Sequence, residues 1–362
     1  MSKLRLVVIG AGSWVAASHL PELDRRSDVV ERWGVCRRGA EALERIRSTW
    51  GFTHASEDYT EVLSHGADIA VIASPTAFHH EHALAAMEAG AHVLVEKPFT
   101  STTEQANELV KRAAELDRHL VVSYGYNYRP IVRGARARLL EEHGIGTVEH
   151  VAIHMASGTR ELLAGIGAYA RASESTAPET DTWTDPALSG GGYGQAQLTH
   201  ALALASWLQD FHVDAVTAVA AMPLGGRVEQ HAAAILELEG GGVGTLSGAS
   251  GHQEAMGRRD QLQVRMVGSD GQFQLEMEND LCRLYRHDVG DILLEFENGS
   301  GRYECDGPPN VLVDLALGIP TENCSPGWLG ASTVSILEAM YRSLETGRRQ
   351  PTEQSVPADD GG

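Results

Sequence analysis

Leu4-Arg5-Leu6-Val7-Val8-Ile9-Gly10-Ala11-Gly12-Ser13-Trp14-Val15 is the stretch that decides how the first third of the chain folds. Apolar but for Arg5, its first half has the hydrophobicity of a strand covered on both faces. Gly10 permits a tight turn, and Gly12 lets main chain approach a pyrophosphate. A helix opening at Ser13 offers N–H groups and the positive end of its dipole. Val15 stands where a third glycine usually eases helix–strand packing. On its own the glycine pair reads equally as a dinucleotide turn or as any tight strand-to-helix turn.

Beyond it, strand-like and helix-like segments alternate. Val29–Cys36, Ile69–Ala73, His92–Val95 and Leu120–Tyr124 read as strands, and Ala40–Trp50, Glu81–Ala89 and Thr103–Glu115 as helices, with Thr102 or Thr103 as cap of the last. Such β–α–β order predicts an α/β Rossmann domain, a doubly wound parallel sheet, over residues 1–125. After it come a helix (Pro130–Leu140), a strand (Val148–Met155), an irregular polar stretch (157–190) and a helix (Gly192–Leu208). Then strands follow in series: Val213–Ala221, Ala232–Leu238, Gly244–Ser250, Leu262–Val267, Phe273–Met277, Leu281–Arg286 and Ile292–Phe296. With a last helix over Ser332–Leu344, residues 126–350 are expected to form an α+β domain built on a large, mostly antiparallel open sheet. Residues 351–362 read as a polar, disordered tail.

The 362 residues include 29 basic and 49 acidic side chains, a net charge of −20. That charge excludes nucleic acid and anionic membrane as partners and favours a small molecule. No apolar run is long enough for a signal-peptide core or a membrane span. Cys36, Cys282, Cys305 and Cys324 form no Cys-x-x-Cys pair, which suits buried thiols in a reducing, cytoplasmic setting. No metal is expected. His79-His80-Glu81-His82 looks like a ligand cluster, but consecutive helix residues point in different directions.

Two strand tips carry charge. At the end of the second strand, Cys36-Arg37-Arg38 replaces the carboxylate that NAD sites usually place on the ribose 2′-hydroxyl. Two guanidinium groups suit a 2′-phosphate, so the cofactor reads as NAD or NADP, leaning to NADP. The other reading has Arg37 and Arg38 solvated, or stacked on adenine, in an NAD enzyme. At the fourth strand tip, Val95-Glu96-Lys97-Pro98-Phe99 puts Glu96 and Lys97 on the edge where open α/β sheets bind ligands. A lysine beside an oxidised nicotinamide has its ammonium form disfavoured, which suits it to relay a hydroxyl proton.

Gly10-Ala11-Gly12, His19-Leu20-Pro21, Ser74-Pro75-Thr76 with His79, and Glu96-Lys97-Pro98 after Ala89-Gly90-Ala91-His92 occur in that order. In these motifs the chain resembles the glucose–fructose oxidoreductase and inositol dehydrogenase family (Gfo/Idh/MocA), and the likeness covers nearly all of it. The resemblance implies an NAD(P)-dependent oxidoreductase acting on pyranosides, cyclitols or related polyols, without metal, as a homodimer or homotetramer. It further implies that Gly10, Gly12, Ser13, Trp14, Val15, Arg37, Arg38, Ser74, Pro75, His79, Glu96, Lys97 and Asn127 surround the cofactor. The family's second motif, a glycine-rich turn before a helix with Asp and then His, matches Gly190-Gly191-Gly192 and His200. Ala196 and Gln197 occupy the region of the Asp. His200 is then the general base, Lys97 its partner, and Gln197 an orienting amide that cannot take a proton. Tyr126, Tyr128 and Trp183, with Gln197 and His200, are expected to line the substrate, and His154 to reach the same cleft. Two further readings stand beside this one: a glycoside-activating oxidation in which the cofactor is retained and recycled, and an inactive nucleotide-sensing regulator.

Overall fold

The computed structural model describes residues 2–167, 180–252 and 260–353. Among them the strands form two sheets. The first holds β1 (Leu4–Ile9), β2 (Val30–Cys36), β3 (His54–Ser56), β4 (Ile69–Ile72), β5 (His92–Val95) and β6 (Leu120–Val122), in the order β3-β2-β1-β4-β5-β6 with all pairs parallel. This is the doubly wound arrangement expected from the apolar strands, and the order reverses between β1 and β4. Register then does the positioning. Cys36, Ile9, Ile72, Val95 and Val122 pair across in one row. The next residues, Arg37, Gly10, Ala73, Glu96 and Ser123, therefore leave the sheet along a single edge.

The connecting helices are α1 (Ser13–Ala17), α2 (His19–Arg25), α3 (Ala40–Trp50), α4 (Tyr59–Ser64), α5 (His79–Glu88) and α6 (Thr103–Glu115). Thr102 is the residue that caps α6, its hydroxyl accepting from the Gln105 amide. Asp58 does the same for α4, accepting from the Thr60 amide. The short β3 and α4 carry too few residues for a periodic signal, and neither is foreseen from the sequence.

The second sheet contains β7 (Val148–Ser157), β8 (Val213–Ala221), β9 (His231–Leu238), β10 (Val243–Ser250), β11 (Gln261–Gly268), β12 (Gly271–Glu276), β13 (Leu281–Arg286), β14 (Gly290–Leu294) and β15 (Gln350–Pro351). Its order is β14-β13-β12-β11-β7-β10-β9-β8-β15, antiparallel except for the β7–β10 pair. Pairing of Gln350 and Pro351 with β8 carries order into the polar tail, of which residues 354–362 lie outside the described residues. Burial alternates along β9, β10 and β11, as in a sheet covered on one face.

After the single turns α8 (Arg160–Leu163), α9 (Asp181–Thr184) and α10 (Pro186–Ser189) comes α11 (Thr199–Leu208); the covered face packs on α7 (Pro130–Glu141), α11 and α13 (Gly327–Thr346), and α13 also packs on α6. One continuous apolar core thus runs from Val7, Ile9 and Val95 of the first sheet to Leu246, Val264 and Leu275 of the second. After β14 the chain returns to the Rossmann layer. Residues 295–306 cross between the domains, and α12 (Gly307–Ala316) buries Leu312 and Val313 against the sheet face carrying Leu6 and Val8. The loop before α13 adds a bridge from Pro326 to Val121.

Candidate active site

Everything at the junction starts from the row of strand ends. Gly10 adopts a positive φ of 88°, and a Cβ there would meet the Ser74 amide nitrogen at 2.1 Å. The β1 and β4 turns are pressed together, which only glycine allows. A Cβ placed on Gly12 would have the Gly10 oxygen, at 3.9 Å, as its nearest neighbour, so the main chain there is open to close approach. The first turn of α1 adds N–H groups from Ser13 to Val15 that the helix itself leaves without acceptors.

At the β2 tip the two guanidinium groups take different partners. Arg37 donates to the carbonyls of Ala11 (3.1 Å) and Arg38 (3.3 Å), whereas Arg38 lies over the Phe78 ring, 5.8 Å from its centre. Carboxylates are nearer than the β2 sequence suggests, because Glu57, at the end of the neighbouring strand, accepts from the Gly39 amide at 3.1 Å.

Two residues expected at the cofactor face the protein instead. His79 is buried, with Nδ1 2.8 Å from the Pro98 carbonyl and Nε2 2.7 Å from that of Ser74. A carbonyl covers each ring nitrogen, one of them accepting the single N–H of the neutral ring, so the imidazole packs the β4 and β5 turns together and has no edge left for a ligand. Glu96 is also buried. Its carboxylate accepts from the Trp14 indole at 2.8 Å and from the Lys97 amide at 3.2 Å, and lies 2.5 Å from His19 Nε2. Burial alone would raise the Glu96 pKa, but the His19 contact and the Lys97 charge outweigh it and hold the carboxyl below its usual range. Trp14 thereby belongs to the support of the turn.

Lys97 follows directly. Its Nζ donates to the Ala196 carbonyl at 3.0 Å, a contact that joins the two domains. Burial depresses its pKa, opposed by the Glu96 charge. His200 comes from the opposite side, near the start of α11, and is 4% exposed. Its ring sits edge-on to Tyr126 (5.6 Å between centres), Tyr303 (5.4 Å) and Tyr124 (6.2 Å). Burial first, and the Lys97 charge second, place its pKa well below the ordinary imidazole value, so His200 is neutral near pH 7.

Gly194–Leu198 forms a π-helical turn just ahead of α11, where the sequence predicts continuous α-helix. π-turns gather at functional sites because they re-aim side chains. Here Gln195 is the buried amide, 4% exposed, while Gln197 is partly exposed. The turn is held by Glu229, whose carboxylate accepts from the amides of Gly192 and Gly194, each at 2.9 Å, and from the Tyr341 hydroxyl at 2.7 Å. Glycine is needed for this approach: a Cβ on Gly191 would lie 2.3 Å from the Tyr341 ring.

The remaining expected residues divide. Asn127 is wholly buried, with Nδ2 on the Cys324 carbonyl at 2.9 Å. Tyr126 packs against His200, and its hydroxyl lies 3.4 Å from Asp260. Tyr128 is turned into the domain junction, its hydroxyl on Ser325 (2.7 Å) and Asn323 (3.2 Å), a packing role rather than a substrate contact. Trp183 sits half-buried in a single turn, Asp181–Thr184, that leads toward the glycine run; residues 168–179 before it lie outside the described ones. His154 bonds Ser247 across β7 and β10 on the face opposite the buried Met155, away from the site. Arg129 is buried against Glu304 and Asp306, and Arg136 covers the Trp207 ring. Gln195, Glu229, Tyr303 and the His19–Cys305 contact are not foreseen from the sequence, because none of them stands in a local motif.

Three buried polar atoms at this junction have no hydrogen-bond partner among the described residues: Asn127 Oδ1, Gln195 Oε1 and His200 Nδ1. Buried polar atoms are nearly always satisfied, so these suit ligand groups. With the open main chain at Gly12 they fit a dinucleotide and a polar substrate meeting between the domains.

Comparison with known proteins agrees with this geometry. Residues 4–124 match a family model described as an oxidoreductase family with an NAD-binding Rossmann fold, and residues 132–274 match the GFO/IDH/MocA C-terminal domain. The chain is similar to D-glucoside 3-dehydrogenase of Escherichia coli, 33% identical over 129 residues (35% of this chain, 36% of that protein). It is also similar to levoglucosan dehydrogenase of Pseudarthrobacter phenanthrenivorans, 35% identical over 113 residues (30% of this chain, 27% of that protein). The matched stretches thus span well under half of these relatives. Among solved structures, levoglucosan dehydrogenase in complex with NADH and L-sorbose superposes with a TM-score of 0.75 at 16% identity, covering 97% of this chain and 99% of that one. An oxidoreductase domain protein from Kribbella flavida gives 0.77 at 20% identity, covering 98% and 100%. At these identities the likeness is one of fold.

Proposed function

The chain belongs to the Gfo/Idh/MocA family of oxidoreductases, and from that premise we propose that it is an enzyme transferring hydride between a nicotinamide cofactor and a carbon bearing a secondary hydroxyl in a sugar, glycoside or cyclitol. The observation that carries this reading is the meeting of a half-buried Lys97 and a buried, neutral His200 at one junction, delivered by separate domains and electrostatically coupled. Relatives named as D-glucoside and levoglucosan dehydrogenases support a sugar-like substrate.

The main chain from Gly10 to Val15, with Arg37, Arg38, Ser74, Pro75 and Asn127, would hold the cofactor, and His79 and Glu96 brace that set from behind. When bound, the cofactor supplies or accepts the hydride. The rest falls to side chains. Lys97 Nζ polarises the reacting oxygen, and its anchor on the Ala196 carbonyl keeps it aimed. The neutral imidazole of His200 takes or returns the hydroxyl proton, which an imidazolium could not accept. Gln195 and Gln197 orient hydroxyls, and the tyrosines around His200 exclude water. Positioning and fixed dipoles supply most of the acceleration.

Cofactor preference is proposed as NADP, on the two arginines at the β2 tip. Titrating purified protein with NAD and NADP, then screening cyclitols and glycosides for appearance of reduced nicotinamide, tests the whole reading. Selective NADP binding with turnover of a polyol is the expected result. Selective NAD binding would overturn the preference alone, and failure to bind either nucleotide would overturn the function.

A further inference from the structure

Behind the nucleotide turn lies a chain of three side chains, of which the proposed reaction uses Glu96 alone, and only as a brace of the cofactor site. His19 of α2 is wholly buried, with Nε2 2.5 Å from Glu96 Oε1 and Nδ1 3.9 Å from Cys305 Sγ. The Ser123 hydroxyl lies 3.6 Å from the same sulfur. One donor atom from each of His19, Glu96 and Cys305 falls within 4.8 Å of the other two. The imidazole, however, turns a different nitrogen to each partner. That is the geometry of a proton relay, not of three ligands converging on one ion.

We propose that Cys305 is a nucleophilic thiol, activated by His19 and oriented through Glu96, and that it is a site of covalent modification by small disulfides. The arrangement is that of a nucleophile, a base and an orienting carboxylate. Before attack, Nδ1 of His19 holds the thiol proton, and the Glu96 carboxylate on Nε2 stabilises the resulting imidazolium, so the sulfur attacks as thiolate. Cys305 sulfur bonds to one sulfur of the disulfide while the disulfide's own S–S bond breaks. The departing half leaves as a thiolate and takes up a proton from solvent. Cys305 is oxidised and the departing half reduced, so no other oxidant is required.

The other cysteines lack this environment. Burial pushes the thiols of Cys36, Cys282 and Cys324 up to about 11, 12 and 12, and among the described residues none of them bonds an imidazole. Burial also works against a charge on His19, yet Cys305 and Glu96 on its two nitrogens raise its pKa overall. Reactivity is therefore concentrated at one sulfur.

Cys305 is only 7% exposed, and its position in the chain explains how a reagent reaches it. It lies in the crossing segment 295–306, which contains no helix or strand. Beside the sulfur this strap is held by Arg129 with Glu304 (3.1 Å) and Asp306 (3.3 Å), whose side chains are about half exposed. The segment has no sheet or helix hydrogen bonds of its own and its carboxylates lie at the surface, so local opening exposes the thiol without unfolding a domain. Two residues upstream, Tyr303 packs on His200 and Tyr126. An adduct on Cys305 cannot fit the closed strap, so it withdraws Tyr303 from His200.

The test uses the full, reduced chain and limiting iodoacetamide at neutral pH, with peptide mass spectrometry as readout, so it is independent of any turnover. Cys305 is expected to label about tenfold faster than Cys36, Cys282 or Cys324. The aromatic disulfide DTNB should show one fast thiol, lost in Cys305→Ser. His19→Asn should slow the fast phase about tenfold, with melting followed to verify the fold; Glu96→Gln serves if that variant does not fold. Equal labelling of the four thiols, a faster thiol elsewhere, or a fast phase unchanged by either relay variant would overturn the proposal.

Discussion

Lys97 and His200 reach the same junction by opposite means. Lys97 is placed by register: once β5 pairs with β4 and β6, the residue two past Val95 must leave at the binding edge. Nothing else is required but parallel pairing of apolar strands. His200 is placed by an assembly of distant parts. Its helix begins after a π-turn, which Glu229, just before β9, and Tyr341 of α13 hold through hydrogen bonds. One side of the site is fixed by a repeating sheet, the other by a few buried contacts. The first should tolerate loss of any single support, and the second should not.

Removing the two side chains themselves should have the largest effect. Lys97→Met and His200→Ala are each expected to lower turnover about 10²- to 10⁴-fold while nucleotide binding persists, measured by separate binding and steady-state assays. Loss of nucleotide binding in both would break the division between the two sides. The pH profile sharpens it. His200 has its folded pKa depressed below 6.5, so it stays neutral and active as pH falls through 6.5. The unfolded chain takes up a proton there and the folded one does not. Native stability therefore declines from about pH 6.5 downward until the depressed folded pKa is reached, and replacing His200 by Ala should flatten that decline.

The same division explains what is legible in sequence. The strands Leu4–Ile9 and Leu281–Arg286 and the helix Ala40–Trp50 are legible to the residue, because periodicity and bounding glycines are local signals. Lys97 is legible for the same reason. His79 and Glu96 mislead: their positions at strand tips suggest a ligand, whereas their side chains turn to Pro98, Ser74, His19 and Trp14. Tyr128 misleads similarly. Gln195 is hidden behind Gln197, since the α-helical spacing that favours Gln197 fails across a π-turn. Glu229, Tyr303 and Cys305 lie 29 to 105 residues from His200 along the chain, and only the folded chain brings them there.

A graded version of the comparison comes from two substitutions of similar structural cost. Glu229→Gln leaves one oxygen for the glycine amides and turns an NH₂ toward the remaining donors. The clash should cost about 1–3 kcal/mol of stability and, by loosening the π-turn, lower kcat roughly ten- to a hundredfold with little change in nucleotide affinity. Thr102→Ala removes the α6 cap on the Rossmann side. It should cost about 1 kcal/mol with kcat unchanged. Urea melts and kinetics on the two variants check this. Equal kcat losses would mean that the two sides are held alike.

The smallest effect belongs to the β2 tip. Arg37 is held by the carbonyls of Ala11 and Arg38, so its removal disturbs the turn as well as any ligand. Arg38 rests over the Phe78 ring and can swing to a 2′-phosphate without disturbing main chain. Arg38→Ala should therefore weaken NADP about tenfold, the worth of one charge-assisted hydrogen bond, and leave NAD within about twofold because its 2′-hydroxyl carries no charge. Isothermal titration with both nucleotides reads the ratio directly. An equal loss for both would assign Arg38 to adenine stacking, and the cofactor preference would then rest on Glu57 and its neighbours at the end of β3 rather than on the arginine pair.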